Sequence, residues 1–408
     1  MSFTFLRVIA GVCAIGLIAT ACSTDTTPAA SPTSSDAPIY RNGDVIPGQY
    51  IVVFHKEAVA NKGESLQSLT PETRLDLVNQ AADRMLDKVS VNSENIMATY
   101  GNVLQGVVVT LTEEQVNKIK KDPSVSYIEQ DRWVSLPPMQ IEVAKGEKAQ
   151  AQTTPWGITQ VGGSETPAST TTVWIVDSGI QLDHPDLNVA SSGHKSWVNG
   201  QKTANDGNGH GTHVAGTVGA KDNTIGVVGV APGVKLMAMR VLNNAGSGQF
   251  SWSISAFDWI AAKANTNYIN VVNYSVGPGS RYTSTTLDNA VKGMADEGII
   301  VCMAAGNAGD DATYFSPARV NYTNVYTIAA MNSSLQFASW SNYGAPVDWI
   351  EPGVSVYSTY KGSSYTTMSG TSMASPHATG IFAVGGIEAG GTASSVPSGT
   401  TDEWGQRD

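Results

Sequence analysis

The stretch "TTVWIVDSGI", residues 171–180, sets a run suited to a buried strand directly before a carboxylate, Asp177. A strand covered on both faces reads as a nearly unbroken apolar run instead of an alternating one. A carboxylate ending such a run is poorly placed for mere solubility. Similar runs recur at "VKLMAMRVL" (234–242), "INVVNYS" (269–275), "IIVCMAA" (299–305) and "VYTIAAM" (325–331). Helical patterns lie between them, such as "SISAFDWIAAKA" (253–264) and "LDNAVKGMADEG" (287–298). This alternation predicts an α/β body, an open parallel sheet with helices on both faces. Ligand sites in such sheets lie at the carboxyl ends of strands, where Asp177 falls.

The chain has 408 residues, enough for about two or three domains and a large core. Only 14% of residues are charged and 41 are Gly, which suits a loop-rich α/β protein and not a coiled coil or disordered chain. Net charge is -11 with no block of Lys and Arg, which argues against nucleic acid or a polybasic membrane contact. The opening "MSFTFLRVIAGVCAIGLIATAC" has Arg7 before an apolar run, Val8 to Ile18, too short to span a bilayer. Residues 1–21 read as an export signal. "ATA" before Cys22 fits ordinary signal cleavage, whereas "IATAC" resembles a bacterial lipoprotein box in which Cys22 is lipidated. The product is then either secreted or membrane-anchored. The polar, Pro-containing stretch after Cys22 makes residues 22–46 a flexible tether. Of three cysteines, at 13, 22 and 302, at most two survive processing, so a disulfide framework is excluded. Cys302 sits in an apolar run and reads as a small buried hydrophobe.

Residues 47–136 alternate short strands and helices. "QYIVVF" is a strand; Thr70 caps a helix with Pro71 in its first turn and apolar residues at Leu75, Val78, Ala82, Met85 and Val89. "NIMATY" and "VLQGVVVTL" follow as strands, Thr112 and Gln115 pair as a capping box, and "SVSYIEQD" closes the unit. The β-α-β-β-α-β order predicts a small ferredoxin-like module. Residues 137–150, "PPMQIEVAKGEKAQ", read as an exposed linker suited to proteolytic cutting.

Chemistry concentrates at three element ends. Asp177 closes a strand, His210 lies in "NDGNGHGTHVAGT", and Ser372 opens a helix-like segment in "SGTSMASPHATG" (369–380). A serine among residues this small leaves room for a peptide backbone, although helix capping by Ser and Thr is the plainer alternative. Zinc binding by His210 and His213 finds no "HExxH" to support it. His213 and His184 read as structural. "GTSMA" is not the "GxSxG" of a lipase elbow.

"VDSGI", "GHGTHVAGT" and "GTSMASPHATG", in this order, resemble the signature blocks of the subtilisin-like serine proteases. "AQTTPWGITQV" from Ala151 and "AAGN" at Ala304 to Asn307 match that family as well. The likeness runs from about Ala151 to Gly380, and the preceding module resembles the family's inhibitory pro-domain. It implies a subtilisin-like open parallel sheet at 151–390 and a serine endopeptidase acting on protein or peptide substrates through an acyl-enzyme. Ser372 would be the nucleophile, His210 the general base, Asp177 its orienting partner and Asn307 an oxyanion donor. The pro-domain would be an intramolecular inhibitor, removed by a cut near Gln150 and Ala151.

The resemblance further implies a substrate strand between two backbone edges, Gly246, Ser247 and Gly248 on one side and Ser275, Val276 and Gly277 on the other. Ala304, Ala305 and Gly306 would also bind substrate, and Pro278, where the family commonly has a glycine, would reshape the primary pocket. It also implies structural calcium, Ca2+, held by side chains of Gln152, Asp186 and Asn223 and carbonyls of Lys221, Ile225 and Val227. A monomer is expected. The pattern departs from the family after His377. Gly380, Gly385, Gly386, Gly390 and Gly391 weaken a continuing helix, Glu351 replaces a small residue, and residues 391–408 read as a disordered tail. On that ground the alternative is a catalytically defective homologue acting as an inhibitor or binding protein.

Overall fold

The computed structural model describes residues 42–60, 65–136, 140–148 and 150–408. The export signal at 1–21, Cys22 and the tether as far as residue 41 lie outside the described residues. The first unit comprises β1 (Val45–Phe54), α1 (Lys56–Val59), α2 (Pro71–Asp87), β2 (Ile96–Tyr100), β3 (Gly106–Thr110), α3 (Glu113–Ile119) and β4 (Val125–Ser135). Its sheet runs β2-β3-β1-β4, antiparallel throughout. Thr70 Oγ1 accepts from Thr73 N at 3.2 Å to start α2, and Thr112 and Gln115 exchange the two capping-box bonds of α3. Val78, Ala82 and Met85, one face of α2, pack on Val52, Val107 and Val109.

The second unit continues with β5 (Gln140–Lys148), α4 (Trp156–Gln160), β6 (Thr171–Asp177), β7 (Lys195–Ser196), α5 (His210–Gly219) and β8 (Lys235–Arg240). Next come β9 (Ser247–Gln249), α6 (Phe250–Lys263), β10 (Ile269–Tyr274), α7 (Thr285–Asp296), β11 (Ile300–Ala304), β12 (Val325–Met331) and β13 (Trp349–Pro352). The chain closes with β14 (Val356–Tyr360), β15 (Ser364–Ser369), α8 (Thr371–Val384), β16 (Ile387–Thr392) and β17 (Glu403–Arg407). Seven strands form a parallel sheet in the order β13-β12-β11-β10-β6-β8-β7. Alternation along β6 divides the core. Trp174 and Val176 pack with Phe257 of α6 and Val291 of α7, while Val173 and Ile175 pack with Val214 of α5 and Ala374 of α8. The expected helices on both faces are therefore present. Among the described residues no helix is long and apolar enough to cross a membrane.

Two expectations need correction. Part of the linker is a strand: β5 adds antiparallel to β15 as the third strand of a β14-β15-β5 sheet. Nor is 391–408 a disordered tail, because β16 and β17 form a hairpin and Trp404 is buried with Ala305, Met331 and Ile350. The glycines that suggested a failing helix serve close approach instead. A Cβ on Gly380 would strike Val230, and one on Gly390 would strike the Trp404 ring. Helix α8 runs to Val384 intact, which removes the physical ground for reading the C-terminus as defective.

Glu351 is 0% exposed beneath this hairpin, and neither carboxyl oxygen has a hydrogen-bond partner. Burial pushes its pKa well above the ordinary carboxylate range. The folded chain therefore keeps a proton that the unfolded chain gives up. The stability linked to this group is complete below the ordinary carboxylate pKa. It falls by up to about 1.4 kcal/mol per pH unit above it, until the folded pKa is passed. In a Ser372→Ala background, chosen to prevent autolysis, Glu351→Gln should melt several degrees higher than its parent at pH 8 and no higher near pH 4. Equal melting curves at pH 8 would contradict the neutral buried carboxyl.

Candidate active site

Asp177 ends β6 and His210 opens α5, and both are 0% exposed. His210 Nδ1 lies 2.8 Å from each oxygen of Asp177. Two glycines permit this approach. Gly209 adopts φ 111° directly under Tyr360, and a Cβ on Gly211 would collide with the Gly179 carbonyl beside Asp177. Asp177 Oδ1 also accepts from Ser178 N at 2.6 Å, which fixes the carboxylate's rotation.

Asp206, absent from the sequence-based candidates, organises this corner. Its Oδ1 accepts from Ser178 Oγ at 2.9 Å and from Asn208 N and Gly209 N at 2.8 Å. Its Oδ2 accepts from Thr212 N at 3.0 Å and Thr212 Oγ1 at 2.7 Å. It ties the strand-end turn to the first turn of α5, so it positions His210 without touching it. Asp206 stands three residues before Gly209, the N-cap of α5, so no capping signal in the sequence marks it.

Ser372 lies in the first turn of α8 and is 2% exposed. Its Oγ donates to the Ser275 carbonyl at 3.2 Å, while Ser275 Oγ donates to the Ser372 carbonyl at 3.2 Å. The second bond has a local cause. Pro376 has no N–H for the carbonyl four residues earlier, so Ser275 serves Ser372 instead. His210 Nε2 is buried without a hydrogen-bond partner. The Asp177–His210 link is thus made, and the serine hydroxyl rests on Ser275.

Asn307 follows β11, with its Oδ1 accepting from Thr371 N at 2.9 Å and Thr371 Oγ1 at 2.8 Å. That leaves Nδ2 as the free end of the amide. A Cβ built on Gly370 would stand 3.3 Å from Asn307 Nδ2 and 3.7 Å from Ser372 N, so both donors border one small space. Two N–H groups around a space at a helix N-terminus suit a developing oxyanion.

Next to Ser372 a pocket lies between Ser275, Gly277, Pro278 and Gly279 on one wall and Ala304, Ala305, Gly306 and Asn307 on the other, with Phe315 to Ala318 completing it. Val276 is not part of it: its side chain is buried in the core with Tyr274. Gly246, Ser247 and Gly248 form a separate edge that is already occupied. Strand β4 lies antiparallel on β9 with Trp133, Val134 and Ser135 opposite Gln249, Gly248 and Ser247, and Leu136 N donates to Gly246 O at 2.9 Å. Asn42 Nδ2 reaches Ser135 O at 3.0 Å. The module is clamped elsewhere too. Asp258 accepts from the N–H groups of Gly101, Asn102 and Val103 at 3.0, 2.7 and 3.0 Å, and Glu129 accepts from Thr286 N at the start of α7 at 3.0 Å.

His213 and His184 are structural, as expected. His213 Nε2 lies 3.1 Å from the carbonyls of Val356 and Thr366, and burial pushes its pKa down to about 3, so it is neutral. His184 packs edge-on to Tyr365. Cys302 is fully buried, which pushes its thiol up and leaves it inert.

The six residues expected around calcium are gathered at one loop. Asn223 N donates to Gln152 Oε1 at 2.5 Å, Asn223 Nδ2 donates to Asp186 Oδ1 at 2.6 Å, and Val227 N donates to Asp186 Oδ2 at 3.2 Å. Ala151 pairs with Ile225, and Lys221 N donates to Asp186 O at 2.9 Å. The Lys221 ammonium is turned to Pro185 O, and among the described residues the buried Asp186 carboxylate forms no ion pair. Among the described residues no three His, Cys, Asp or Glu side chains are grouped to hold a metal. The donor set here is instead one carboxylate with amide and carbonyl oxygens, which fits a hard cation.

Comparison with known proteins agrees with this geometry. A model described as "Subtilase family" matches residues 168–385, and one described as "Peptidase inhibitor I9" matches residues 49–137. M-protease of Shouchella clausii (strain KSM-K16) is 40% identical over 284 residues, 68% of this chain and 67% of that protein. Subtilisin E of Bacillus subtilis (strain 168) is 40% identical over 295 residues, covering 69% and 70%. Subtilisin DY of Bacillus licheniformis is 45% identical over 242 residues, covering 57% and 85%. Among solved structures, a cold adapted subtilisin-like serine proteinase superposes with a TM-score of 0.53 at 32% identity, over 61% of this chain and 96% of that one.

Proposed function

Because this chain belongs to the subtilase family, we propose that Ser372, His210, Asp177 and Asn307 are the residues that carry its reaction. The protein is a serine endopeptidase made with an intramolecular inhibitory pro-domain. Ser372 Oγ turns about χ1 from the Ser275 carbonyl to His210 Nε2, which takes its proton as the oxygen attacks the scissile carbonyl. His210 then delivers that proton to the leaving amine, and Asp177 stabilises the imidazolium between the two transfers. Asn307 Nδ2 and Ser372 N hold the oxyanion. The pocket walls of Gly277 to Gly279 and Ala304 to Gly306 carry small side chains, which suits an apolar or aromatic side chain of the substrate.

One observation carries this reading: a fully buried Asp177–His210 pair at 2.8 Å, at the sheet end where α8 presents Ser372. A fluorophosphonate probe should label the processed wild-type protein on Ser372, whereas Ser372→Ala should stay unlabelled and keep its pro-domain. A labelled or self-processed Ser372→Ala protein would overturn the assignment. Intact mass of the unprocessed Ser372→Ala precursor tests the export reading, since a lipidated Cys22 adds its acyl mass and a conventionally cleaved leader does not.

Gln152, Asp186 and Asn223, with the carbonyls of Lys221, Ile225 and Val227, would hold calcium, with the Asn223 amide turned to present its oxygen. Bound there, the ion supplies structural cross-linking and no chemistry. In the Ser372→Ala protein, calcium at about 100 times its dissociation constant should add about 2.7 kcal/mol of stability, read as a raised Tm that EDTA reverses. Asp186→Ala should abolish that increment. An increment that survives this substitution would place the ion elsewhere.

A further inference from the structure

We propose that residues 42–44 are a second inhibitory element, a clip that occupies the far side of the substrate cleft and keeps strand β4 seated on β9. The proposal rests on the serine endopeptidase reading with its intramolecular inhibitor. It adds a part of the chain that lies upstream of the residues matching the inhibitor family.

An extended strand has two hydrogen-bonding sides, used by alternate residues. Val134 and Leu136 use the side facing β9: Val134 stands opposite Gly248, and Leu136 N donates to Gly246 O at 2.9 Å. Trp133 and Ser135 use the other side, where a second backbone edge would complete the hold on an extended peptide. Residues 42–44 take that side. Gly43 N donates to Trp133 O at 2.8 Å, Trp133 N donates to Asp44 O at 2.9 Å, and Asn42 Nδ2 donates to Ser135 O at 3.0 Å. The same Nδ2 lies 3.5 Å from Gly277 O, and a Cβ built on Gly279 would stand 3.0 Å from it. Asn42 is thus wedged between the inhibitor strand and the second substrate edge. Facing two carbonyl oxygens, its amide must present the NH₂ group.

The sequence reads this segment as the end of a flexible tether, and a bulge explains why it is ordered instead. β1 pairs with β4 from Tyr50 to Phe54, the register shifts between Val45 and Tyr50, and pairing resumes with Val45 opposite Arg132. Gly48, inside the shift, has φ 74°. Such a bulge bends a strand and re-aims the chain beyond it, here along Trp133 toward the cleft. Arg132 ties the clip to the body. Its Nη1 donates to Gly43 O at 2.6 Å, and its guanidinium lies over the Tyr282 ring, 4.5 Å from the centroid. Tyr282 in turn stacks on Phe250 at the start of α6. A peptide that pairs with both substrate edges must therefore displace residues 42–44 as well as β4.

Hydrogen exchange on the full-length Ser372→Ala chain, which should keep its pro-domain attached, tests this. Asn42→Ala should make the Leu136 amide and the β9 amides exchange about fivefold faster, the change that one net hydrogen bond produces. Gly43→Pro removes the N–H on Trp133 O and cannot adopt the φ of 88° found there, so it should act in the same direction. Asn42→Asp should exceed Asn42→Ala, because it sets a carboxylate against two carbonyls. The β3 amides inside the module should not change. Unchanged exchange at Leu136 and β9 overturns the clip. So does equal acceleration through β3, which would make Asn42 a brace for the module's own fold. In the same variants with Ser372 intact, fluorophosphonate labelling of freshly purified protein should start about fivefold faster. Equal labelling rates overturn the inhibitory role even where exchange is faster. Protein that shows the exchange pattern but labels in no variant supports the clip and refutes the endopeptidase reading beneath it.

Discussion

Asp177→Asn is expected to lower kcat about 10⁴-fold with little change in KM, the loss known for the equivalent aspartate in another serine protease fold. That factor corresponds to about 5.5 kcal/mol of transition-state stabilisation. The local geometry says why an isosteric amide should cost so much. Asp177 Oδ1 is held by the Ser178 N–H at 2.6 Å, and both carboxylate oxygens lie 2.8 Å from His210 Nδ1. In the asparagine variant the amide oxygen takes the Ser178 bond, which turns the NH₂ group toward Nδ1. Nδ1 must then accept, so the ring proton moves to Nε2 and the base can no longer take the serine proton. The variant should still fold and still bind a separately supplied pro-domain, because the clamps at Asp258 and Glu129 are untouched. A loss below tenfold, measured on a peptide substrate with active-site titration, would mean that Asp177 does not orient His210.

The parts of this molecule legible in its sequence are those where local chemistry and fold demand the same residues. The run into Asp177 is apolar because β6 is covered on both sides, and the glycines around His210 are there because the helix start must reach the strand end. Capping pairs such as Thr112 with Gln115 are visible because both partners lie within one turn. The C-terminal hairpin was hidden for the opposite reason. Gly390 and Gly391 show no periodicity of their own, and their meaning comes from Trp404, which folds over them. Strand β5 has no partner until β15 presents an edge more than two hundred residues later, so its sequence alone resembles a linker. In an extended segment neighbouring residues face opposite ways, so Gly277 lines the pocket while Val276 enters the core.

Asn307→Ala should lower kcat by about 10²–10³ while KM stays nearly constant, a range taken from the corresponding donor in a subtilisin. The constancy of KM is the informative part. Asn307 Oδ1 is occupied by Thr371 N and Oγ1, so only Nδ2 faces the space beside Ser372 N. A donor aimed where charge appears in the transition state contributes little to ground-state binding, and its loss falls on kcat. Asn307→Asp should be worse than Asn307→Ala, because a carboxylate there opposes the oxyanion while keeping its bonds to Thr371. Gly370→Ala offers an independent probe, since its Cβ would stand 3.3 Å from Nδ2 and crowd the oxyanion without removing a donor. If Asn307→Ala raised KM as much as it lowered kcat/KM, the amide would be a substrate-binding group, and the space beside Gly370 would not be where the oxyanion forms.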